Sequence, residues 1–248
     1  MTVIKSPQEV AIMRQAGKIV AKTLQRLTEE IKPGIKTSHL DSLAASELKK
    51  YGAKASFKGY RGFPASLCVS VNDEIVHGIP GERELNTGDI VSLDFGAVVN
   101  GFHGDGAITV GVGRISPKAQ ELMAITEAAL MVGIKEARNG AHLGDVSAAI
   151  QNYVETRGFS VVREYSGHGV GRDLHEDPLV PNFGPSGEGP VLRKGMTLAI
   201  EPMVTTGDWQ TRVASNKWTV LTVDGSLAAH FEHTIAISED EAEILTLL

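Results

Sequence analysis

Cysteine is nearly missing from this chain of 248 residues: Cys68 is the only one. That excludes an intrachain disulfide and a zinc site built from several cysteines, and it fits a reducing compartment, so a cytoplasmic location is expected. Excess positive charge is also lacking. With a net charge of −6 the global field draws in neither nucleic acid nor an anionic membrane, and neither is expected as a specific partner. No stretch holds the roughly 18 uninterrupted apolar residues of a membrane span. The opening residues lack a charged segment followed by a long apolar run, so no export signal is expected. Familiar catalytic signatures are missing too. His175-Glu176 is followed by Leu179 where a helical zinc-protease motif needs a second histidine. There is no Gly-x-Ser-x-Gly elbow, no P-loop, and no dinucleotide-binding glycine fingerprint opening a helix after a strand. The remaining composition, 42% hydrophobic and 22% charged, is that of an ordinary globular protein, long enough for one large domain or two fused halves.

What is present centres on residues 91–110. Apolar and β-branched residues flank Asn100-Gly101, the strongest short-range signal for a type I′ hairpin turn. With the turn there, Asp105 faces Gly96 and Asp94 faces Ala107. Alternation then puts Asp94 and Asp105 diagonally on one sheet face, roughly 7–8 Å apart at the backbone. Like charges so placed repel, and a divalent cation between them reverses the sign. Gly96 is expected to leave the space opposite Asp105 open.

The rest of the chain repeats itself. Ser6-Pro7 with Glu9 is a capped helix start, apolar spacing continues to Leu24, and Pro33-Gly34 ends the helix. A second helix is predicted over about 38–51, stopping at Gly52. A glycine and aromatic segment, 57–64, leads into a strand over 66–71, then His77 and a turn at Thr87-Gly88. Ser116-Pro117 starts the second round: helices to about 137 and over about 145–156, a strand at 159–162, His168 among glycines, and His175. A Pro/Gly loop is predicted over 178–190, a strand ending at Glu201, and strands near 217–223 and 230–238. Gly88 and Gly195 each precede an acid, Asp94 and Glu201, by six residues. The duplication predicts an α+β fold with pseudo-two-fold symmetry, halves about 6–113 and 116–248 of a single catalytic domain. Its site lies between them, where each half brings an acid-tipped strand and a histidine.

The residues able to carry chemistry are Asp94, Asp105, His168, Glu201 and Glu232, with His77 and His175 close by in the pattern. Four carboxylates and an imidazole suit two divalent ions of hard-to-borderline character better than one.

In order and spacing, Asp94 and Asp105 eleven apart, Ser166-Gly167-His168-Gly169, Glu201-Pro202-Met203 and Phe231-Glu232-His233-Thr234 resemble the signature set of the type I methionine aminopeptidases. The similarity runs from about Ser6 to Leu248. The resemblance implies the pita-bread fold, a curved antiparallel sheet with helices on its outer face. It also implies two divalent ions (cobalt, manganese, iron, zinc or nickel) held by Asp94, Asp105, His168, Glu201 and Glu232, with Asp105 and Glu232 bridging. The activity implied is hydrolysis of the N-terminal methionine of new polypeptides, preferring a small second residue, by a hydroxide shared between the ions. Glu201 then shuttles the proton, and His77 and His175 contact substrate near the scissile bond. Tyr60, Phe63, Cys68 and Trp218 are assigned to the methionine pocket by their positions in these motifs. The partners implied are amino-terminal ends of peptides and proteins, with transient ribosome association, and the enzyme is expected to be a monomer. Three positions depart from the family pattern. Phe63 replaces a common tyrosine, Phe57 a small residue or cysteine, and Leu174 a frequent aromatic; these concern the pocket, not the metal ligands. A related hydrolase cleaving before proline is the nearest rival, disfavoured by chain length and by the spacing of the late motifs. A catalytically dead module that binds proteins or RNA is disfavoured by the complete ligand set.

Overall fold

The first helix of each half starts at a cap written in the sequence, Ser6 or Ser116. The computed structural model describes residues 2–248. α1 (Pro7–Glu30) opens on a full capping box: Ser6 Oγ accepts from the Glu9 N–H, and the Glu9 carboxylate accepts from the Ser6 N–H. α2 (Thr37–Tyr51) stops at Gly52, whose φ of 65° suits glycine. α3 (Pro117–Glu136) and α4 (Leu143–Glu155) repeat the pair in the second half. α4 begins two residues before the predicted start, because Asp145 reaches back to hold the His142 N–H.

The strands Ile90–Val99 and Phe102–Gly111 pair around Asn100 and Gly101, with φ 49° and 79°, the two left-handed residues of a type I′ turn. Gly96 faces Asp105 and Asp94 faces Ala107, as the turn position requires. The hairpin is the core of the first half's share of a nine-stranded sheet. The order outward from the middle is symmetric. Phe102–Gly111 and Glu232–Ala236 meet at the centre, Ile90–Val99 and Thr197–Ile200 flank them, and Leu67–Val71 and Gly167–Gly169 lie outside those. The central ladder between halves is short, and Thr234 extends it by side chain. Its hydroxyl accepts from the Asp105 N–H at 2.9 Å and donates to the Asp105 carbonyl at 2.8 Å.

Side-chain alternation gives this sheet two different faces. Val91, Leu93, Phe95 and Ala97 point toward the helices and pack with Val20, Leu24 and Leu40 of α1 and α2. Leu198, Ile200 and Ile235 do the same with α3 and α4. α1 lies so near the hairpin that a Cβ on Gly104 would fall 2.7 Å from the Gly17 nitrogen. The other face carries Asp94, Asp105 and Glu232. Among the described residues no helix is long and apolar enough to cross a membrane.

Two strands differ from expectation. The run at 230–238 is broken at Phe231: Ala228–His230 pairs with Met203–Thr205 in a separate three-stranded sheet, and Glu232–Ala236 joins the main one. Both pieces are buried, so the hydrophobic pattern runs through the corner without marking it. The loop placed at 178–190 begins as a strand, Glu176–Val180. Pro178 is tolerated because this strand forms one edge of the sheet.

Candidate metal and substrate site

The register of the sheet gathers acids on the face away from the helices. Asp94 sits between Cys68 and Ala107, Glu232 is opposite Ala107, and Asp105 is two residues along the same strand. His168, midway along Gly167–Gly169, faces Ala199, and Glu201 follows the end of Thr197–Ile200. All five border one cavity of about 130 Å³, together with His77, His175, Tyr60, Phe63, Cys68 and Trp218. Asp105, His168 and Glu232 bring ligand atoms within 4.8 Å of one another. His168 Nε2 lies 3.4 Å from Glu201 Oε1 and 4.0 Å from Asp105 Oδ2.

The electrostatics of this group are unfavourable without a cation. Burial pushes the Asp94, Glu201 and Glu232 carboxyls well above the usual range, and repulsion from neighbouring carboxylates adds to it. Burial raises Asp105 to about 7. Among the described residues, the base side chains within 4.0 Å of these acids are His168 and His230. Burial, then the neighbouring His175, lowers His168 to about 3, so it brings no positive charge at neutral pH. Asp94 Oδ1 and Glu232 Oε1 are buried and have no hydrogen-bond partner among the described residues. His168 Nδ1 lies 2.9 Å from the Gly169 carbonyl, which can only accept. That bond fixes the proton on Nδ1 and leaves the Nε2 lone pair facing the carboxylates, as metal-ligating histidines are held. Oxygen-rich donors with one imidazole, and orphaned oxygens among them, fit divalent cations.

Two more histidines border the cavity. The His175 ring stacks on Tyr60 at 5.2 Å and lies 4.1 Å from that of His168. His77 has φ 59°, a strained value for a non-glycine residue, and its ring is edge-on to Tyr165 and Trp218. Burial lowers both histidines to about 4; the Arg61 guanidinium lowers His175 further, and His77 is lowered further because two protonated rings, its own and that of His175, would repel. At neutral pH each is therefore uncharged, with one N–H to donate.

Phe57, Phe63, Cys68 and Leu174 form a buried apolar cluster beside the acids, with Tyr60 and Trp218 packed on it. Burial, then Asp94, pushes the Cys68 thiol well up, so it offers sulfur surface rather than a thiolate. The space over Gly96 is not open as expected. Ser56 and the Phe57 ring fill it, within 2.6 and 3.0 Å of where a Cβ would stand. Three neighbours of the site had no sequence signal. Arg61 and Val76 line the cavity. His230 is buried, with Nε2 3.6 Å from Glu201 Oε2 and neither ring nitrogen hydrogen-bonded. Only its place beside the Phe231-Glu232 motif could have pointed to it.

The profile of metallopeptidase family M24 matches residues 11–239. The chain is 56% identical to methionine aminopeptidase 1 of Bacillus subtilis (strain 168), across 99% of both chains. It is 52% identical to methionine aminopeptidase of Clostridium perfringens (strain 13 / Type A), across 100% of both. Among solved structures it resembles methionine aminopeptidase from Thermotoga maritima with a TM-score of 0.99 and 51% identity, each chain covered in full. Prolidase from Pyrococcus furiosus, 23% identical, aligns with a TM-score of 0.82 over 100% of this chain and 66% of its own, and shares the pita-bread fold. Fold, family profile and near-full-length identity agree: the chain belongs to metallopeptidase family M24, within its methionine aminopeptidases.

Proposed function

We propose that this protein removes the N-terminal methionine from polypeptides with two divalent ions held by Asp94, Asp105, His168, Glu201 and Glu232. The observation that carries this reading is the group of four carboxylates that line one cavity with His168, with Asp94 Oδ1 and Glu232 Oε1 left without a hydrogen-bond partner among the described residues. Such ions supply Lewis acidity, a water acid enough to give hydroxide near neutral pH, and an anchor for the free α-amino group. Asp105 and Glu232, on the two central strands, are suited to bridge the halves.

The chain's own residues do the rest. Neutral His175, held by its stack on Tyr60, donates its N–H to the carbonyl oxygen as negative charge develops there. His77 takes the side of the leaving nitrogen. Glu201 is flanked by His168 and His230, and its proton affinity is raised, so its carboxyl can carry a proton to the departing amine. Methionine is long, unbranched and polarizable, and suits the wall of Tyr60, Phe63, Cys68 and Trp218. A bulky second residue would collide with the rim, so Gly, Ala or Ser is preferred there. The enzyme is read as a cytoplasmic monomer that meets new chains, with the ribosome as a transient partner.

Comparing kcat/KM on Met-Ala, Met-Lys, Leu-Ala and Ala-Pro peptides of equal length tests the specificity. Met-Ala is expected to lead by at least about tenfold, since one misfit group in such a pocket costs about 1–3 kcal/mol. Preference for Ala-Pro would favour a proline-directed enzyme, and equal rates would mean that the pocket is wrongly assigned.

A further inference from the structure

Lys5, just before α1, ties together two segments that carry site residues. Its backbone N–H donates to the Gly195 carbonyl at 2.8 Å, at the turn that begins the strand leading to Glu201. Its ammonium donates to Glu176 Oε2 at 2.5 Å and to the Val3 carbonyl at 3.2 Å. The Lys5 and Glu176 side chains are only 3% and 10% exposed. The other oxygen of Glu176 accepts from the Arg172 and Asp173 N–H groups at 2.8 and 3.2 Å. Those N–H groups belong to the turn that joins His168 to His175. Gly171 makes the close approach possible, since a Cβ there would lie 2.5 Å from both Glu176 Oε1 and Lys5 Cε.

A buried ion pair is a weak source of stability, because each charge loses its water. Well-packed apolar side chains could fill the same place. What the pair supplies is a fixed geometry: one carboxylate gathers two backbone N–H groups and one ammonium, directly after His175 in the chain. We propose that Lys5 and Glu176 are positioning residues that hold the 171–176 turn so that His175 stays on Tyr60 and against His168. This rests on the reading of His175 as the donor to the carbonyl oxygen.

The test compares Lys5→Met, Lys5→Arg, Glu176→Gln, His175→Ala and the double variant Lys5→Met/His175→Ala in the metal-loaded full-length protein. Turnover of a Met-Ala peptide, metal content and melting temperature are measured for each. Lys5→Met is expected to lose about 10–100-fold in kcat with KM and metal content little changed, the scale of loss from about 1 Å of misplacement. Lys5→Arg keeps the charge and should recover most of it. Glu176→Gln keeps an oxygen for the two N–H groups and removes the charge. It should show a smaller loss of the same kind, and it serves where Lys5→Met fails to fold. In the His175→Ala background, Lys5→Met should cost nothing further in kcat. A lower melting temperature with wild-type kcat in both Lys5→Met and Glu176→Gln, while His175→Ala is inactive, would overturn the positioning role alone. The same loss from Lys5→Met with or without His175 would also overturn it. Full turnover in His175→Ala would overturn the reading of His175, and the positioning role with it.

Discussion

His175 and His77 share a cavity with five metal-binding candidates, yet neither has a carboxylate within ion-pair distance among the described residues. His175 stacks on Tyr60, and His77 meets Trp218 and Tyr165 by its edges. Both are aromatic surroundings that fix a ring without occupying its nitrogens. His175→Ala and His77→Ala are therefore expected to keep their metal and lose about 10²–10³ in kcat, the typical cost of removing one oxyanion donor. Elemental analysis beside steady-state kinetics checks this. A variant that loses metal while keeping its activity per metal would show a ligand mistaken for a substrate contact. His77 pays for its place with a left-handed backbone at φ 59°, and the adjacent Gly78 has no room for a Cβ, which would lie 2.0 Å from the Val69 carbonyl.

At the scale of elements, the contact between α1 and the hairpin determines how the acid-bearing strands lie. Gly104 faces Gly17 across it without room for a methyl group. Gly104→Ala is expected to push α1 from the sheet and destabilise the protein by about 1–3 kcal/mol, the usual range for overpacking a tight core. Urea denaturation reads this; an unchanged midpoint would mean that the contact is loose. The hairpin and the helix starts were legible because their signals are local. Asn100-Gly101 states its own backbone, Ser6 and Glu9 cap one another three residues apart, and register then follows from alternation. The diagonal placement of Asp94 and Asp105 on one face follows from that register, whereas the place of Glu232 opposite Ala107 does not. Long-range relations were not legible. His230 reaches Glu201 only because the chain changes sheets at Phe231. Lys5 meets Glu176 across 171 positions of the chain. Gly96 looked like open space from the sequence, and the filling of that space by Ser56 and Phe57 depends on the course of a loop. The edge strand Glu176–Val180 was hidden because Pro178 reads as a breaker.

For the whole molecule, the gathered acids link stability to metal and pH. In metal-free protein Asp94, Asp105, Glu201 and Glu232 keep their protons to higher pH folded than unfolded, with Asp105 at about 7. The folded state then binds more protons, and stability falls as pH rises through that range. The buried histidines act oppositely. His168 and His230 at about 3, and His77, His175 and His233 at about 4, are lowered by burial, so they favour the folded state as pH rises toward the ordinary 6.5. At about pH 6.5 the unfolded histidines are still half protonated; about one unit higher they are neutral in both states, and the carboxyls alone decide. The melting temperature of metal-free protein is thus expected to fall between about pH 7.5 and 8.5, and that of metal-saturated protein to hold, because a bound cation favours the ionised ligands. A metal-free profile that stays flat there would mean the four carboxyls are not held close enough to matter.

The most direct test of the central claim is turnover of a Met-Ala peptide by protein stripped with a strong chelator, then titrated with a divalent ion. Hydrolysis should be abolished by stripping and return with added metal, reaching its plateau near two ions per chain. Full activity in demonstrably metal-free protein would contradict the account.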